Sequence, residues 1–321
     1  MPATPSPAAS DPHVRRWIAR HLAALPPRAP SLIITAWGDA VAPHGGAAML
    51  PGVIRLLAPF GLSERRVRTS MFRLARQGWL ETAPVGRRSQ YALTPGGAQR
   101  FAVAHARIYG YPADAWDDTW ELLLTHRLDA RQRRLAATEL HWAGYGDFGP
   151  GVFARPRRAG NAVPALLRSA PYNEAIVAAR ATDDATLGGR TLAAASEEAW
   201  DLRGVAALYR QLIHRFGTVI ERFRASPADA HHPEQCFVVR TLLVHDYRRA
   251  LLRDPQLPAA LLPLDWPGPA AYALCRDFYR LAHRAAEAHL QSTLERADGA
   301  LPPAIASFYR RFDGLPRASG A

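Results

Sequence analysis

The sequence contains no lysine, only two cysteines, and no apolar run of the roughly 18 residues that a membrane-spanning helix needs. Cys236 and Cys275 are too few for a disulfide framework, and they do not have the spacing of a metal-binding pair. The first residues, MPATPSPAASDP, lack the basic flank and apolar core of a signal peptide. We therefore expect a cytoplasmic protein in a reducing compartment, without a membrane partner.

The positive charge of the chain comes entirely from arginine. The 40 basic residues face 28 acids in 321 residues, which gives a net charge of +12. In a soluble protein this excess indicates a polyanionic partner such as nucleic acid, or a phosphate-bearing ligand. Residues 61–100 contain eight arginines but only two acids, Glu64 and Glu81, so about half of the net charge lies in this short segment.

The stretch GLSERRVRTSMFRLARQGWL, residues 61–80, predicts an amphipathic helix. Ser63 is a suitable N-cap, and Gly78 is a suitable stop. At about 100° per residue, Val67 and Met71 fall on one face, which can pack against the protein. The opposite face and its flanks carry the arginines, and an anion would relieve their mutual repulsion.

The neighbouring segments predict the order of a winged helix-turn-helix. SLIITAWGDAV and PGVIRLLAPF are typical of helices, and Pro51 suits the first helical position of the second one. WLETAPVGRRSQYAL predicts two short strands around a turn. The order is then helix, helix, turn, helix and hairpin.

A recognition helix in the major groove of DNA brings its N-terminal residues to the base edges. Arginine can form paired hydrogen bonds with guanine O6 and N7, so Arg65 or Arg66 is the predicted base reader. Arg73 and Arg76 are better placed for phosphates. The complete predicted DNA-binding set is Ser63, Arg65, Arg66, Arg68, Thr69, Arg73 and Arg76 on the helix, with Arg87 and Arg88 at the hairpin tip.

Other interpretations of these residues stay open. The helical arginines can form a solvated charged face, and Arg87 and Arg88 can belong to a flexible solvated turn. An RNA-binding or purely structural interaction module would use the same helix as a generic phosphate patch. Phe72, on a flank of the helix, is expected to pack against the hairpin rather than to stack on a base.

The rest of the chain predicts a small α+β layer followed by helices. TWELLLT and GVFARP have strand character, RQRRLAATELHWAG between them predicts a helix, and helical periodicity runs from Glu197 onward through about three long helices. We predict a mainly helical α+β fold. Its parts are a disordered tail at 1–12 and domains at 13–100, 101–190 and 191–321.

Several segments occur together in a known pattern: SLIITAWGDAV, IRLLAPFGLSERRVRTSMFRLARQGWL, GRRSQYALT, RIYG, DDTWELLL, LHWAGYGDFGPGVF and VRTLLVHDYRRALLRDPQLPAALLPLDWPG. The combination resembles the PaaX family of bacterial repressors over nearly the whole chain. The resemblance implies an N-terminal winged helix-turn-helix, a central ferredoxin-like domain similar to Cas2 proteins, and a C-terminal helical domain. It also implies a homodimer that represses a phenylacetate-type aromatic-acid operon by binding double-stranded operator DNA. An aryl-CoA thioester such as phenylacetyl-CoA would release it.

A CoA thioester requires cations for its phosphates and an apolar slot for its acyl group. FVVRTLLVHDYRR and LLPLDWPG contain both residue types. In the structural alternative, the arginines pair with acids such as Asp246 and Asp265, and the tryptophan fills the core. We expect no cofactor besides this effector. The predicted effector-binding residues are Arg240, His245, Tyr247, Arg248 and Trp266.

An enzyme is the competing class of function. A Cas2-like, metal-dependent nuclease would use Asp129 near a strand end, but a helix cap explains this residue better. Three pairs of adjacent acids or histidines lack a spacing that brings metal ligands together, so we expect no metal site and no catalysis. These pairs are Asp117 with Asp118, Asp183 with Asp184, and His231 with His232.

Overall fold

The fold is α+β and mainly helical, with small antiparallel sheets, as the sequence predicts. The structure is a computed structural model that describes residues 9–110, 116–157, 165–169, 172–184, 186 and 189–316. The helices are α1 (Pro12–Ala24), α2 (Ala29–Ala36), α3 (Leu50–Leu57), α4 (Glu64–Arg76), α5 (Pro95–Tyr109), α6 (Ala130–Trp142), α7 (Tyr172–Ala175), α8 (Leu192–Ala199), α9 (Leu202–Arg224), α10 (Pro233–Leu251), α11 (Gly268–Thr293) and α12 (Ala306–Tyr309). The strands are β1 (Ala47–Met49), β2 (Leu80–Val85), β3 (Arg88–Leu93), β4 (Thr119–Leu124), β5 (Gly146–Asp147), β6 (Val152–Pro156), β7 (Val177–Thr182), β8 (Glu295–Arg296) and β9 (Gly299–Ala300).

The chain divides into two compact units. The first unit comprises Met1–Tyr111, Gln211–Arg249 and Pro269–Ala321, and the second comprises Pro112–Arg210 and Ala250–Gly268. The domain boundaries at 100 and 190 stay predictions.

None of the described helices has both the length and the apolar composition of a membrane span.

Hydrogen bonds anchor the start of the described chain. Gln235 in α10 donates to Ser10 Oγ at 2.9 Å and accepts from the Asp11 N–H at 2.9 Å. Asp11 also caps α1, because its carboxylate accepts from the His13 N–H at 2.7 Å. Of the predicted disordered tail, residues 1–8 lie outside the described residues.

In the first unit, α4 leads into a three-stranded antiparallel sheet with the order β1-β3-β2. Gly78 has φ +70°, a left-handed conformation that suits glycine and turns the chain from α4 towards β2. Gly86, with φ +57°, and Arg87 form the turn between β2 and β3. The hairpin was predicted, whereas β1 was not, because three buried residues show no alternation of polarity.

The apolar face of α4 holds this helix in the unit. Val67, Met71 and Leu74 are buried, and α4 contacts α2 and α3. Ser63 accepts from the Arg66 N–H at 3.4 Å, in the N-cap position that the sequence predicts. The predicted start and packing face of the helix are therefore confirmed, and the other face is left outward.

A buried ion cluster links α10 and α11 to the π-helical turn that follows α2. We define the cluster as Asp39, Arg240, Glu287 and Arg311. Arg240 Nε lies 3.1 Å from Asp39 Oδ2, and Arg240 Nη1 donates to Glu287 Oε1 at 2.9 Å. Arg311 Nη1 donates to the Asp39 carbonyl at 2.7 Å. Three separate parts of the first unit thus meet at Asp39.

Two tyrosines complete the surroundings of Asp39. The hydroxyls of Tyr109 and Tyr279 donate to Asp39 Oδ1 at 2.5 and 2.9 Å, and burial raises the pKa of both phenols. Burial alone would lower the pKa of Arg240, but Tyr279, Asp39 and Glu287 outweigh it and raise this pKa. The Arg240 cation is therefore maintained inside the protein by its neighbours.

A second contact joins α2 to α10 through Thr35. Thr35 Oγ1 is hydrogen-bonded with His245 Nδ1 at 2.9 Å, and it accepts from Arg248 Nη1 at 2.8 Å. Burial lowers the pKa of His245 to about 4. The imidazole is therefore neutral in the folded protein near neutral pH.

We expect the free energy of unfolding to fall as the pH drops from about 6.5 towards about 4. Burial, and then the charge of Arg311, lower the pKa of His105 to about 4 as well. In this range, the unfolded chain binds protons at both histidines and the folded chain does not. Urea unfolding at several pH values measures the slope of the free energy of unfolding against pH. His245→Gln, which keeps a hydrogen-bonding group without titrating, should reduce that slope, and an unchanged slope would count against this explanation.

The second unit is built on a four-stranded antiparallel sheet with the order β5-β6-β4-β7. Alternate residues of β4 face different layers, since Leu123 packs with α6 whereas Trp120 packs in a cluster with Leu202 and Leu257. Trp266 is partly buried against the second cluster. Along the chain, the elements follow the order β4, α6, β5, β6, α7, β7.

Candidate nucleic-acid interface

The outward face of α4 is exposed and strongly basic. Glu64 and Arg68 form an exposed ion pair at 2.7 Å, one helical turn apart, and such pairs contribute little to stability. The other arginines on this face have no ion pair within the described part of the chain. The structure thus brings together along α4 the five helical arginines that the sequence assigns to DNA binding. Those without an ion pair are Arg65, Arg66, Arg73 and Arg76.

The two hydroxyl residues of the predicted set are partly engaged by the helix itself. Ser63 caps the first turn through the Arg66 N–H. Thr69 Oγ1 donates to the Arg65 carbonyl at 2.9 Å. The Thr69 hydroxyl retains its capacity as an acceptor, while its one proton is used within the helix.

A cleft of about 700 Å³ lies between the start of α2 and α4, along which its lining runs from Arg65 to Arg73. We call it the α2–α4 cleft. Four arginines line it, and none of them has an ion pair among the described residues, so the cleft concentrates positive charge. The lining residues are Arg28, Ala29, Pro30, Ser31, Arg65, Arg66, Thr69, Ser70 and Arg73.

Arg28 could not be recognised from the sequence because it lies far from the arginine-rich segment 61–100 along the chain. Arg28 holds the N-cap position of α2, immediately before the helix, and no side chain caps this helix. The signal in the sequence was an arginine within the proline-rich segment PPRAP, residues 26–30, which directly precedes the predicted helix SLIITAWGDAV. It predicts a cation at a helix N-terminus, but not that α4 lies alongside.

The two hairpin arginines have different surroundings. Arg88 Nη1 donates to Glu295 Oε1 at 3.3 Å, and both side chains are about half exposed. The Ala297 N–H donates to Gln90 Oε1 at 2.7 Å, so the β8–β9 hairpin lies against β3. Arg87 lies in the turn, is exposed, and has no ion pair within the described residues. The tip of the β2–β3 hairpin therefore offers one free cation and one that is partly neutralised.

Phe72, which was expected to be packed against the hairpin, is instead largely exposed. Its side chain is 62% exposed, on the outward face of α4. The buried face of the helix is already complete without it, because Val67, Met71 and Leu74 fill the space towards α2 and α3.

The predicted effector-binding residues occupy several environments. Arg240 is fully buried in the ion cluster, where two carboxylates balance its charge, so it is better suited to a structural role than to a ligand contact. His245 and Arg248 both bond to Thr35, and Tyr247 is buried. Trp266 belongs to the second unit, where its ring centroid lies 6.0 Å from that of Tyr209.

The acids named in the structural alternative have other partners. Asp246 Oδ2 accepts from Arg215 at 2.7 Å, and Asp265 accepts from Arg210. Arg240 instead pairs with Asp39 and Glu287. The alternative was right that Arg240 is neutralised by acids, but it named the wrong ones.

The residues considered for catalysis serve local structure. Asp129 caps α6 in a capping box with Gln132, which confirms the interpretation as a helix cap. Asp183 accepts from two backbone N–H groups at the start of α8, and His231 is hydrogen-bonded to the Phe223 carbonyl. Across the part of the chain that the structure describes, no three His, Cys, Asp or Glu side chains are grouped as metal ligands.

Comparison with known proteins adds to this geometry. A family profile described as "PaaX-like protein" matches residues 28–97, and one described as "PaaX-like protein C-terminal domain" matches residues 200–292. The transcriptional repressor PaaX of Escherichia coli is 35% identical over 292 residues, which cover 91% of this chain and 92% of that protein. The chain belongs to the PaaX family.

Membership of the PaaX family confirms the resemblance that the sequence motifs carry, and it confirms the prediction of a protein that is not an enzyme. The first matched segment contains Arg28, α4 and the β2–β3 hairpin, and so the whole basic surface described above. A solved structure of an uncharacterized protein from Mycobacterium tuberculosis is similar, with a TM-score of 0.54 and 26% identity, covering 78% of this chain and 95% of that chain.

Proposed function

We propose that this PaaX-family chain is a cytoplasmic, homodimeric transcriptional repressor that binds double-stranded operator DNA. In this proposal, α2, α3, α4 and the β2–β3 hairpin form a winged helix-turn-helix, and α4 enters the major groove. The observation that carries it is the outward face of α4, where four of the five arginines have no ion pair among the described residues while the apolar side is buried. DNA phosphates supply the missing negative charge, and the major groove admits one helix. The name of the Escherichia coli relative, a transcriptional repressor, supports the same function.

Within this interface, the roles follow from position along α4. Arg65 or Arg66, in the first turn, reads guanine, and Ser63 and Thr69 lie in the same N-terminal half. Arg68 joins them once DNA competes with its exposed pair to Glu64. Arg73 and Arg76 bind phosphates, as do Arg87 and Arg88 at the hairpin, where the adjacent minor groove is a second option.

We assign Arg28 to the same interface as a phosphate contact, because it lines the α2–α4 cleft with three arginines of α4. Arg28→Ala should weaken binding to operator and random duplex by the same factor. It should also reduce the slope of log affinity against log salt concentration by about the amount that one phosphate contact contributes. Titrations at several salt concentrations measure both quantities. Arg20→Ala removes an equal charge from an exposed position on α1 and serves as the control. If the two variants behave alike, Arg28 acts only through net charge.

The second unit supports a ferredoxin-like assignment. The order β-α-β-β-α-β along the chain and the antiparallel sheet order β5-β6-β4-β7 are those of a split βαβ fold. We propose that this unit is the Cas2-like domain of the family pattern. In this assignment, the later long helices form the C-terminal helical domain.

We also propose that the target is an operon for catabolism of an aromatic acid of the phenylacetate type, and that an aryl-CoA thioester such as phenylacetyl-CoA releases the repressor. A ligand changes DNA affinity only if it binds one state of the protein more tightly than the other. His245, Tyr247 and Arg248, all in the first unit, remain the proposed contacts. Arg240 takes a positioning role in the buried ion cluster.

Selection of duplexes from a random pool by the purified chain tests the repressor proposal. Enrichment of an inverted repeat, with half-sites about one helical turn apart, is the expected result. Failure to enrich any sequence would contradict it. Phenylacetyl-CoA, phenylacetate and CoA are then added in parallel to the selected complex. Only the thioester should release the protein, so release by the free acid would refute the thioester part alone.

A further inference from the structure

The outward face of α4 carries one large apolar side chain among its cations. Phe72 is 62% exposed, although fully burying a phenylalanine side chain is favourable. Among the described residues, its ring has no aromatic partner and no cation–π contact. Its exposure is therefore not explained by packing within the chain.

Phe72 has an apolar neighbour on the same face. Thr69 lies three residues earlier on the helix, which places the two side chains side by side. Since the Thr69 hydroxyl donates back to the Arg65 carbonyl, the polar atom is held against the helix backbone. The Phe72 ring and the Thr69 methyl group thus form a small apolar patch between Arg65 and Arg76.

We propose that Phe72 is a specificity-determining residue that contacts the C5-methyl group of thymine in the major groove. Thymine is the base that presents an apolar group there, and phenylalanine is among the side chains that read it. The surrounding charge selects the occupant, because α4 carries four arginines that have no ion pair within the described residues. They would repel a second copy of this basic surface. These are Arg65, Arg66, Arg73 and Arg76. The inference rests on the proposed function, which supplies the DNA.

The contact would add sequence information that the arginines cannot supply. Arginine recognises guanine, whereas the methyl group distinguishes thymine from cytosine and from uracil. Phe72 lies seven residues, or about two helical turns, beyond Arg65 along α4. Each half-site is therefore expected to contain a thymine displaced from the guanine that Arg65 or Arg66 reads.

Replacement of single thymines by uracil in the selected operator tests this proposal, because it removes only the methyl group. For the wild-type chain, we expect one position in each half-site at which uracil weakens binding about fourfold, the effect of one buried methyl-sized group. Phe72→Ala should weaken binding to the thymine operator and should abolish the difference between thymine and uracil at that position. Phe72→Leu, which keeps an apolar side chain, should retain part of the difference. Val103→Ala, at another exposed apolar residue on α5, serves as the control.

Three outcomes would overturn the proposal. Phe72→Ala could bind the operator as tightly as the wild type, or it could lose affinity while keeping the full sensitivity to uracil. It could also change the oligomeric state of the DNA-free chain, which would place Phe72 in an interface between copies. If the wild-type chain selects no operator at all, the proposed function fails together with this inference. If the chain selects an operator that is insensitive to uracil at every position, only the role of Phe72 fails.

Discussion

Arg65→Ala should lower affinity for the selected operator by about 1–3 kcal/mol, roughly 5- to 150-fold, while affinity for random duplex falls much less. Arg65 lies in the first turn of α4, is exposed, and has no ion pair among the described residues. A guanidinium in this position can form two hydrogen bonds with guanine, and these are lost only where guanine was present. Competition between operator and random duplex, at one salt concentration, gives the ratio of the two affinities for wild type and variant directly.

Arg76→Ala is the matched control for Arg65→Ala. It removes the same charge from the same face, but from the last turn of α4. We expect operator and random duplex to weaken by similar factors, with a smaller salt dependence, as for a phosphate contact. Equal behaviour of both variants would leave α4 as a phosphate patch without base readout. If Arg66→Ala alone shows the specific loss, the base reader is Arg66.

Arg240→Met should lower the free energy of unfolding of the first unit by about 3–5 kcal/mol, because Arg240 forms ion pairs in the interior. Its side chain is fully buried, and it is the counter-ion of Asp39 and Glu287. Without it, two buried carboxylates remain with one buried cation, Arg311, and the expected loss is a large part of an ordinary domain's stability of about 5–15 kcal/mol. Urea unfolding, followed by circular dichroism, measures the change.

Arg249→Met is the control for Arg240→Met, because Arg249 is exposed and lies 3.9 Å from Asp246. Its effect should stay within about 1 kcal/mol. Adding Glu287→Gln to Arg240→Met should restore part of the stability, since the excess negative charge disappears while Asp39 keeps Arg311 as its counter-ion at 3.4 Å. If Arg240→Met costs no more than Arg249→Met, the buried ion cluster does not hold α10 and α11 to the turn after α2.

The sequence was sufficient to predict α4 because the residues that mark this helix are close together along the chain. Ser63 and Gly78 mark its two ends, and the 3.6-residue period separates Val67 and Met71 from the arginines. The β2–β3 hairpin after it was also predictable, because it has turn residues and an alternation of polar and apolar residues. The strand β1 has neither signal, and its place in the sheet is set by pairing with β3, which is distant along the chain.

The sequence was insufficient where a residue's partners are distant along the chain. Arg240 looked like a possible ligand for phosphates, because nothing near it in the sequence reveals Asp39 and Glu287. Arg28 was missed because only the fold brings it beside α4. Phe72 was assigned to packing because aromatic residues usually are buried, and only the structure shows that the hairpin does not cover it.

DNA cleavage directed from α4 tests the central claim most directly. Gln77 is exposed at the C-terminal end of α4, and Gln77→Cys leaves every proposed base contact in place. An iron chelate can be attached there selectively, because Cys236 and Cys275 are buried and burial raises the pKa of both thiols, that of Cys236 to about 12. The account predicts strand cleavage at two places in the selected operator, about one helical turn apart, and none from the wild-type chain treated with the same reagent. Cleavage of operator and scrambled duplex to the same extent, or no cleavage of bound operator, would contradict the claim that α4 lies in the DNA groove.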